Sequence, residues 1–200
     1  TSVSLWFKDD DVQEGILIHS SIYNSLFFAR IAVKPANNKL YVYHRSPAEN
    51  DEMTSSASYN ENAWNHAVLT IGSGTVKLYI NGVLDDNTIS YSSSNSYYDA
   101  NRVWQIGHIS GQGAGTGHQY KGDIDEVAIW NDELSSGEVS ALYNSGSGLN
   151  ASSNSGNYLS SGDLKAYYRM NDGSGTTLND ETSNNKDGTI TGANWVSGSA

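Results

Sequence analysis

Residues 75–84 read TVKLYINGVL. Val76, Leu78 and Ile80 alternate with Lys77 and Tyr79, the two-residue period of a strand with one buried face. Asn81-Gly82 follows, and both residues tolerate the positive φ that a type I′ turn requires. The stretch therefore predicts a tight β-hairpin. Its preceding partner is 64–71 (WNHAVLTI), joined through Gly72-Ser73-Gly74. Strand-forming segments linked by glycine-bearing turns are the unit of this chain.

The pattern continues outward on both sides. Residues 2–8 (SVSLWFK) place Val3, Leu5 and Phe7 on one side, and 39–45 (KLYVYHR) alternate Leu40 and Val42 with Tyr41 and Tyr43. Further runs of strand length lie at 16–19, 25–33, 102–109, 123–130, 164–170 and 189–196. Residues 107–122 carry six glycines in 16 positions, which fits a long hairpin tip. One helix is expected near 135–143. Ser135 and Glu138 have the spacing of a capping box, Val139, Leu142 and Tyr143 follow at helical intervals, and Asn144-Ser145-Gly146 ends it. Residues 144–162 are 15 of 19 Ser, Gly or Asn, the composition of a loop or linker. The whole reads as all-β with one short helix.

Composition agrees. The 200 residues fit one sandwich-sized domain. Only 37% are hydrophobic, and Ser, Asn, Gly and Thr fill the shortfall, as many turns require. Thirteen Tyr and five Trp supply half-buried strand positions. There are 22 acidic and 11 basic residues, a net charge of −11. A field of that sign repels phosphate backbones, so nucleic acid is not an expected partner. Cysteine is absent, which removes disulfides and thiolate metal sites. No apolar run reaches membrane-spanning length, so membrane insertion is not expected. The chain opens at Thr1 inside a strand pattern, as a mature or excised segment would.

Three motifs together carry a family resemblance. The segment Trp64-Asn65-His66-Ala67-Val68 with Val76-Lys77-Leu78-Tyr79-Ile80-Asn81-Gly82 resembles the central hairpin of laminin-G-like domains. The segment 122–130 (GDIDEVAIW), followed by Leu134-Ser135 and the helix, is similar to their closing strand. Residues 168–176 (YRMNDGSGT) and 180–189 (DETSNNKDGT) resemble their opening, which here comes last instead of first. The resemblance implies a two-sheet antiparallel jelly-roll sandwich of the concanavalin A-like lectin/glucanase kind. It implies a main body at 1–143, a linker at 144–162, and displaced opening strands at 163–200 that complete this sandwich or a neighbouring copy's. It further implies a non-catalytic recognition module at an extracellular, cell or virion surface, often with a structural calcium. Its partner would be a carbohydrate or a cell-surface protein. The alternative is a structural subunit of a surface filament, phage fibre or virion decoration that self-associates by strand exchange.

Candidate site residues follow from the same segments. Alternation within 123–130 sets Asp125 on the face of Val127 and Ile129. A carboxylate on a core face must be paired, hydrogen-bonded or bound to a metal. The loop 180–188 offers Asp180, Asn184 and Asp187 as oxygen donors of the kind calcium takes, or is an ordinary polar turn. Tyr91, Tyr97, Tyr98, His118 and Tyr120, on loops, are either sugar-stacking candidates or surface aromatics. The five histidines, His19, His44, His66, His108 and His118, match no zinc-ligand spacing. Glucanases of this fold place carboxylates as E-x-D-x-x-E on one strand. Here Asp123-Ile124-Asp125-Glu126-Val127-Ala128 ends in alanine, so the second catalytic carboxylate is missing and no hydrolase activity is expected.

Overall fold

The computed structural model describes residues 1–9, 11, 13–22, 28–45, 50–92, 102–108, 119–197 and 200. Thirteen strands and one α-helix are assigned among them. They are β1 (Ser2–Asp9), β2 (Gly15–Ile22), β3 (Phe28–Lys34), β4 (Lys39–Arg45), β5 (Asn50–Thr54), β6 (Trp64–Gly72), β7 (Thr75–Ile80), β8 (Val83–Ser90), β9 (Arg102–Ile106), β10 (Gly122–Trp130), α1 (Ser136–Tyr143), β11 (Leu164–Tyr168), β12 (Thr177–Leu178) and β13 (Gly188–Thr189). Strands β11-β10-β1-β6-β7-β8 form a six-stranded sheet, and β5-β4-β3-β2-β9 form a five-stranded one. Every pairing between named strands is antiparallel. The expected all-β sandwich with one short helix is the observed architecture.

The alternation read from sequence does the packing. Val3, Leu5 and Phe7 of β1, Ile31 and Val33 of β3, Leu40 and Val42 of β4, and Val76 and Leu78 of β7 meet between the sheets, all nearly or fully buried. The hairpin of β7 and β8 turns at Asn81 (φ 52°) and Gly82 (φ 78°), the two positive φ values that define a type I′ turn. A Cβ on Gly82 would also stand 2.9 Å from Cδ1 of Tyr143, at the end of the helix. Gly82→Val should therefore cost about 1–3 kcal/mol from backbone strain alone. Equilibrium urea unfolding measures this, and an unchanged midpoint would mean that the turn tolerates a β-branched residue.

A second apolar layer covers the other face of the six-stranded sheet. Val68, Tyr79, Ala128 and Trp130 point outward there and pack under Leu134, Val139 and Leu142 of the helix region. The helix starts as the capping box predicts: Ser135 Oγ accepts from Glu138 N, and Glu138 Oε2 accepts from Ser135 N at 2.9 Å. The stretch 144–162, read from composition as a linker, is part of this layer. Ala151 and Tyr158 are fully or almost fully buried in it, and the Tyr158 hydroxyl donates to Ala151 O while accepting from Trp130 Nε1. Glu138 accepts from Leu159 N and Ser160 Oγ, tying the returning chain to the helix. Composition hid this because two buried side chains, Ala151 and Tyr158, are enough to anchor the stretch.

The segment after it closes the same chain's sheet. β11 pairs with β10 (Val127↔Tyr168, Ala128↔Tyr167, Ile129↔Ala166). The outer edge of β11 is capped rather than open. Asp180 Oδ1 accepts from Tyr167 N, Glu181 N donates to Tyr167 O, and Asn184 Nδ2 donates to the Leu164 and Lys165 carbonyls. At the opposite edge Asp85 of β8 clips onto the segment after β5, accepting from the Ser56 and Ala57 amides at 2.9 and 2.8 Å. Burial works against the Asp85 charge, but these amides, that of Asn87 and the Ser56 hydroxyl hold its carboxyl below the ordinary value. Among the described residues no helix is long and apolar enough to cross a membrane.

Candidate functional site

Of the residues singled out for calcium, Asp180, Asn184 and Asp187 share one hydrogen-bonded loop and Asp125 lies apart from it. Asp180 is saturated by the protein. Its two oxygens accept from Tyr167 N, Thr182 N, Thr182 Oγ1 and Lys186 N, at 2.8–3.0 Å. Asp187 Oδ1 accepts from Asp180 N, and the Asn184 side-chain amide is spent as a donor. A carboxylate ringed by amide protons sits in an environment built for an anion, which a cation would have to displace. Asp125 lies on β10, across β11 from this loop and further along the strand, so more than two strand spacings, or over ~10 Å, separate them. Among the described residues no three His, Asp or Glu side chains are grouped as a metal ion requires. Asp125, Asp180, Asn184 and Asp187 therefore do not fit a shared calcium ion.

Asp125 also sits on the other face from the one alternation assigned to it. The β1–β10 register slips between Ser4 and Trp6: Ser4 is opposite Ala128, and Trp6 opposite Asp125. The extra residue is taken up at Glu126, whose φ is 50°. Such a bulge reverses which side the following residues face. Ile124 thus lies beside Phe7 in the core, and Asp125 lies beside Trp6 on the outer side. Burial raises the Asp125 carboxyl pKa, against hydrogen bonds from the Ala200 and Glu126 amides. Glu126 next to it is likewise raised by burial and bonds to the Tyr167 hydroxyl and Arg169.

Of the proposed stacking aromatics, Tyr97, Tyr98 and His118 lie outside the described residues. Tyr91 and Tyr120 are partly buried and pack against the main core. The Tyr91 ring lies 5.0 Å from that of His44, and Tyr120 fills the space beside Gly15 and Gly122. Both are structural packing groups.

The outer face of the five-stranded sheet holds what the sequence reading missed. Registers through the sheet join Gln105, His19, Arg30, Tyr43 and Glu52, one residue from each of β9, β2, β3, β4 and β5, in a transverse row. The neighbouring row is Ile16, Ala32, Tyr41 and Thr54. Opposed residues in a sheet share a face, so each row is a strip of adjacent side chains. Ala32 is the small member, between the long side chains of Arg30 and Lys34 along β3 and beside Tyr41. A hollow of about 300 Å³ opens there, lined by Glu14, Ile16, Arg30, Lys34, Tyr41 and Glu52 around Ala32.

The walls of the hollow are braced. Lys34 Nζ sits 4.5 Å from the centre of the Tyr41 ring, and the Arg30 guanidinium 5.4 Å from that of Tyr43. Tyr41 OH donates to Glu52 Oε2, and Lys34 Nζ reaches Thr54 Oγ1 at 3.4 Å. Burial first, then the Glu52 carboxylate, raises the Tyr41 hydroxyl pKa, so it stays a hydrogen-bond donor. His19 is pulled down to about 4 by burial and by the Arg30 charge, and is neutral at ordinary pH. The hollow thus offers one apolar floor, one ring, two cations and two carboxylates within one small volume. The signal in the sequence was the outward set Tyr41, Tyr43, Arg30 and Lys34, but pairing of distant strands was needed to see it as a site.

Solved structures share the fold at low identity. A Bacteroides ovatus protein named for carbohydrate binding matches 94% of this chain with a TM-score of 0.65 and 16% identity, and this chain spans half of its length (50%). The heptameric SAP-like pentraxin of Limulus polyphemus matches 71% of this chain and 68% of its own, at a TM-score of 0.57 and 18% identity. The Ruminococcus gnavus IT-sialidase CBM40, solved with alpha2,3 sialyllactose, matches 71% of this chain and 81% of its own, at 0.56 and 14%. No curated protein sequence matches at a significant level. The laminin G model of the concanavalin A-like lectin/glucanases superfamily matches residues 1–140. With that match over most of the chain and the two-sheet sandwich beneath it, the protein is a member of the concanavalin A-like lectin/glucanases superfamily.

Proposed function

We propose that this chain is a non-catalytic carbohydrate-binding module that takes its ligand in the hollow over Ala32 on the five-stranded sheet. The observation that carries this is the hollow's chemistry. A pyranose presents an apolar face and a rim of hydroxyls, each of which both donates and accepts. Tyr41 supplies most of the apolar surface over a buried floor of Ile16 and Ala32, Arg30 and Lys34 donate, and Glu14 and Glu52 accept. The sugar-binding descriptions of the Bacteroides and Ruminococcus structures support the same reading. The absence of catalysis rests on β10, where Ala128 stands at the place of the second carboxylate of a retaining pair.

Filling the hollow tests the proposal from the outer side of the sheet, away from the cluster between the sheets. Ala32→Trp places a large ring where the ligand is expected to sit. The variant should melt close to the parent temperature and lose retention on glycan affinity gels by tenfold or more, about 1.4 kcal/mol of binding. Retention equal to that of the parent, with the fold intact, would place the binding surface elsewhere.

A further inference from the structure

The charge of the chain is unevenly placed. Residues 28–45 contain Arg30, Lys34, Lys39 and Arg45 and none of the chain's 22 acids, whereas the whole chain carries −11. These residues form β3 and β4, neighbours in the five-stranded sheet. Strand alternation puts Arg30 and Lys34 on the outward side of β3, and Lys39 and Arg45 on the outward side of β4 with Tyr41 and Tyr43. The core side of β3 and β4 is taken by Ala29, Ile31, Val33, Leu40 and Val42. Four of the 11 bases thus lie, half-buried, on the outer side of two adjacent strands of an acidic protein.

We propose that the ligand of this face is a carboxylated polysaccharide, a polyuronate, with its carboxylates set on Arg30 and Lys34 and its free hydroxyls on Glu14 and Glu52. This rests on the carbohydrate reading above and names the class of glycan. Arg30 and Lys34 are four residues apart on β3, about 13 Å along the strand. That separation suits a chain carrying an anionic group on more than one sugar, laid along β3. The guanidinium and ammonium are already held over tyrosine rings, so little side-chain freedom remains to be lost on binding. Lys34 makes no ion pair among the described residues. The two glutamates select carboxylated over sulfated sugar. They need hydroxyl donors, and sulfation converts hydroxyls into further anions that face Glu14 and Glu52. The net negative charge repels any polyanion, but least at this face, because residues 28–45 hold no acid and more distant charges are screened beyond about 8–10 Å at physiological salt.

The test compares polygalacturonate, the methyl-esterified form of the same polymer and dextran sulfate, by affinity electrophoresis and calorimetry with the full chain. Polygalacturonate should bind, weaken with rising salt, and bind about tenfold or more tighter than the neutral ester and than dextran sulfate. Arg30→Gln and Lys34→Gln should each lower that affinity by about tenfold, the loss expected for one charge-assisted contact, with unchanged melting. Equal, salt-insensitive binding of the ester overturns the acidic ligand while leaving the carbohydrate module standing. Equal binding of dextran sulfate reduces the contact to charge alone and also overturns it. If no glycan binds to the parent and Ala32→Trp changes nothing, both readings fall together.

Discussion

Tyr158→Ala should lose about 4 kcal/mol of stability, a large part of what holds a domain of this size. The residue sits in a stretch that is mostly Ser, Gly and Asn, where substitutions would ordinarily be neutral. In the structure its side chain is fully buried. The ring meets Trp130 edge-on at 6.3 Å between centroids, its hydroxyl accepts from Trp130 Nε1 at 2.9 Å, and it donates to Ala151 O at 2.8 Å. Truncation removes the packed ring and leaves two buried polar groups without partners, both of them costly. Urea denaturation followed by tryptophan fluorescence reads the loss. Tyr158→Phe separates the two contributions. It keeps the ring and should lose only about 1–2 kcal/mol, the value of the hydroxyl's bonds. A neutral Tyr158→Ala would mean that residues 144–162 behave as a linker and that the sheet's outer face is covered in some other way.

The second large effect is acid sensitivity centred on His66. This side chain points to the outer side of β6 and is completely covered. Its Nε2 shares a 2.7 Å hydrogen bond with Ser4 Oγ, its ring lies 5.0 Å from that of Trp6, and its Nδ1 has no partner among the described residues. No acidic group offsets the burial, which drives the pKa from 6.5 down to about 3. The unfolded chain therefore binds a proton, between about pH 6.5 and pH 3, that the folded chain refuses. Stability contributed by the neutral ring is fully present above the unfolded pKa and is lost as pH falls towards the folded one. From pH 7.5 to about pH 4.5 the loss from His66 alone is about 2–3 kcal/mol. His19, pulled down to about 4, adds to it with the same sign. Asp125 and Glu126 act oppositely, since burial raises their pKa values and protonation relieves that cost. Their effect begins above the ordinary carboxylate range, inside the histidine window, and offsets part of the histidine loss. Urea midpoints measured across pH should fall steadily from neutral pH, and His66→Gln should flatten the slope while lowering stability at pH 7.5. A parent slope unaltered by the substitution would show that other groups set the acid limit.

Both effects come from the same architectural device, a second apolar layer laid over a sheet whose outer face would otherwise be wet. Ser2, Ser4, Trp6, His66 and Thr70 would be solvent-facing in a bare sandwich, yet each is buried. Thr70 Oγ1, like His66 Nδ1, has no partner among the described residues, whereas other polar side chains under the layer find partners locally. Ser2 does so by donating to Asp132 O and accepting from Leu134 N, which fixes the chain leading into the helix. Asn65 at the end of β6 is fully buried and satisfied. It accepts from Asn60 N and Asn81 Nδ2 and donates to the carbonyls of Asn60 and Ala63. The tight turn at 81–82 is thereby tied to the strand entry at 60–65, and the hairpin is stapled at its tip.

What the sequence determined by itself was whatever depends on neighbours along the chain. The hairpin at Asn81-Gly82, the Ser135–Glu138 capping box and the alternation in β1, β4 and β7 are local, and each is where its residues predicted it. A turn needs only two residues of suitable φ, and a strand face needs only a period of two. Tertiary structure decided the rest, because the deciding contacts join residues far apart. One bulge at Glu126 carried Asp125 from the core face to the outer face, and no periodicity contains a bulge in advance. Two side chains, Ala151 and Tyr158, turned a linker-like composition into a packed cover, because the partner that makes Tyr158 worth ordering is Trp130, 28 residues before it. The hollow over Ala32 exists only because β2, β3, β4 and β5 align Ile16, Ala32, Tyr41 and Thr54 in one row. A small residue becomes a binding site by the size of what stands beside it, and strand register, not sequence order, chooses those neighbours.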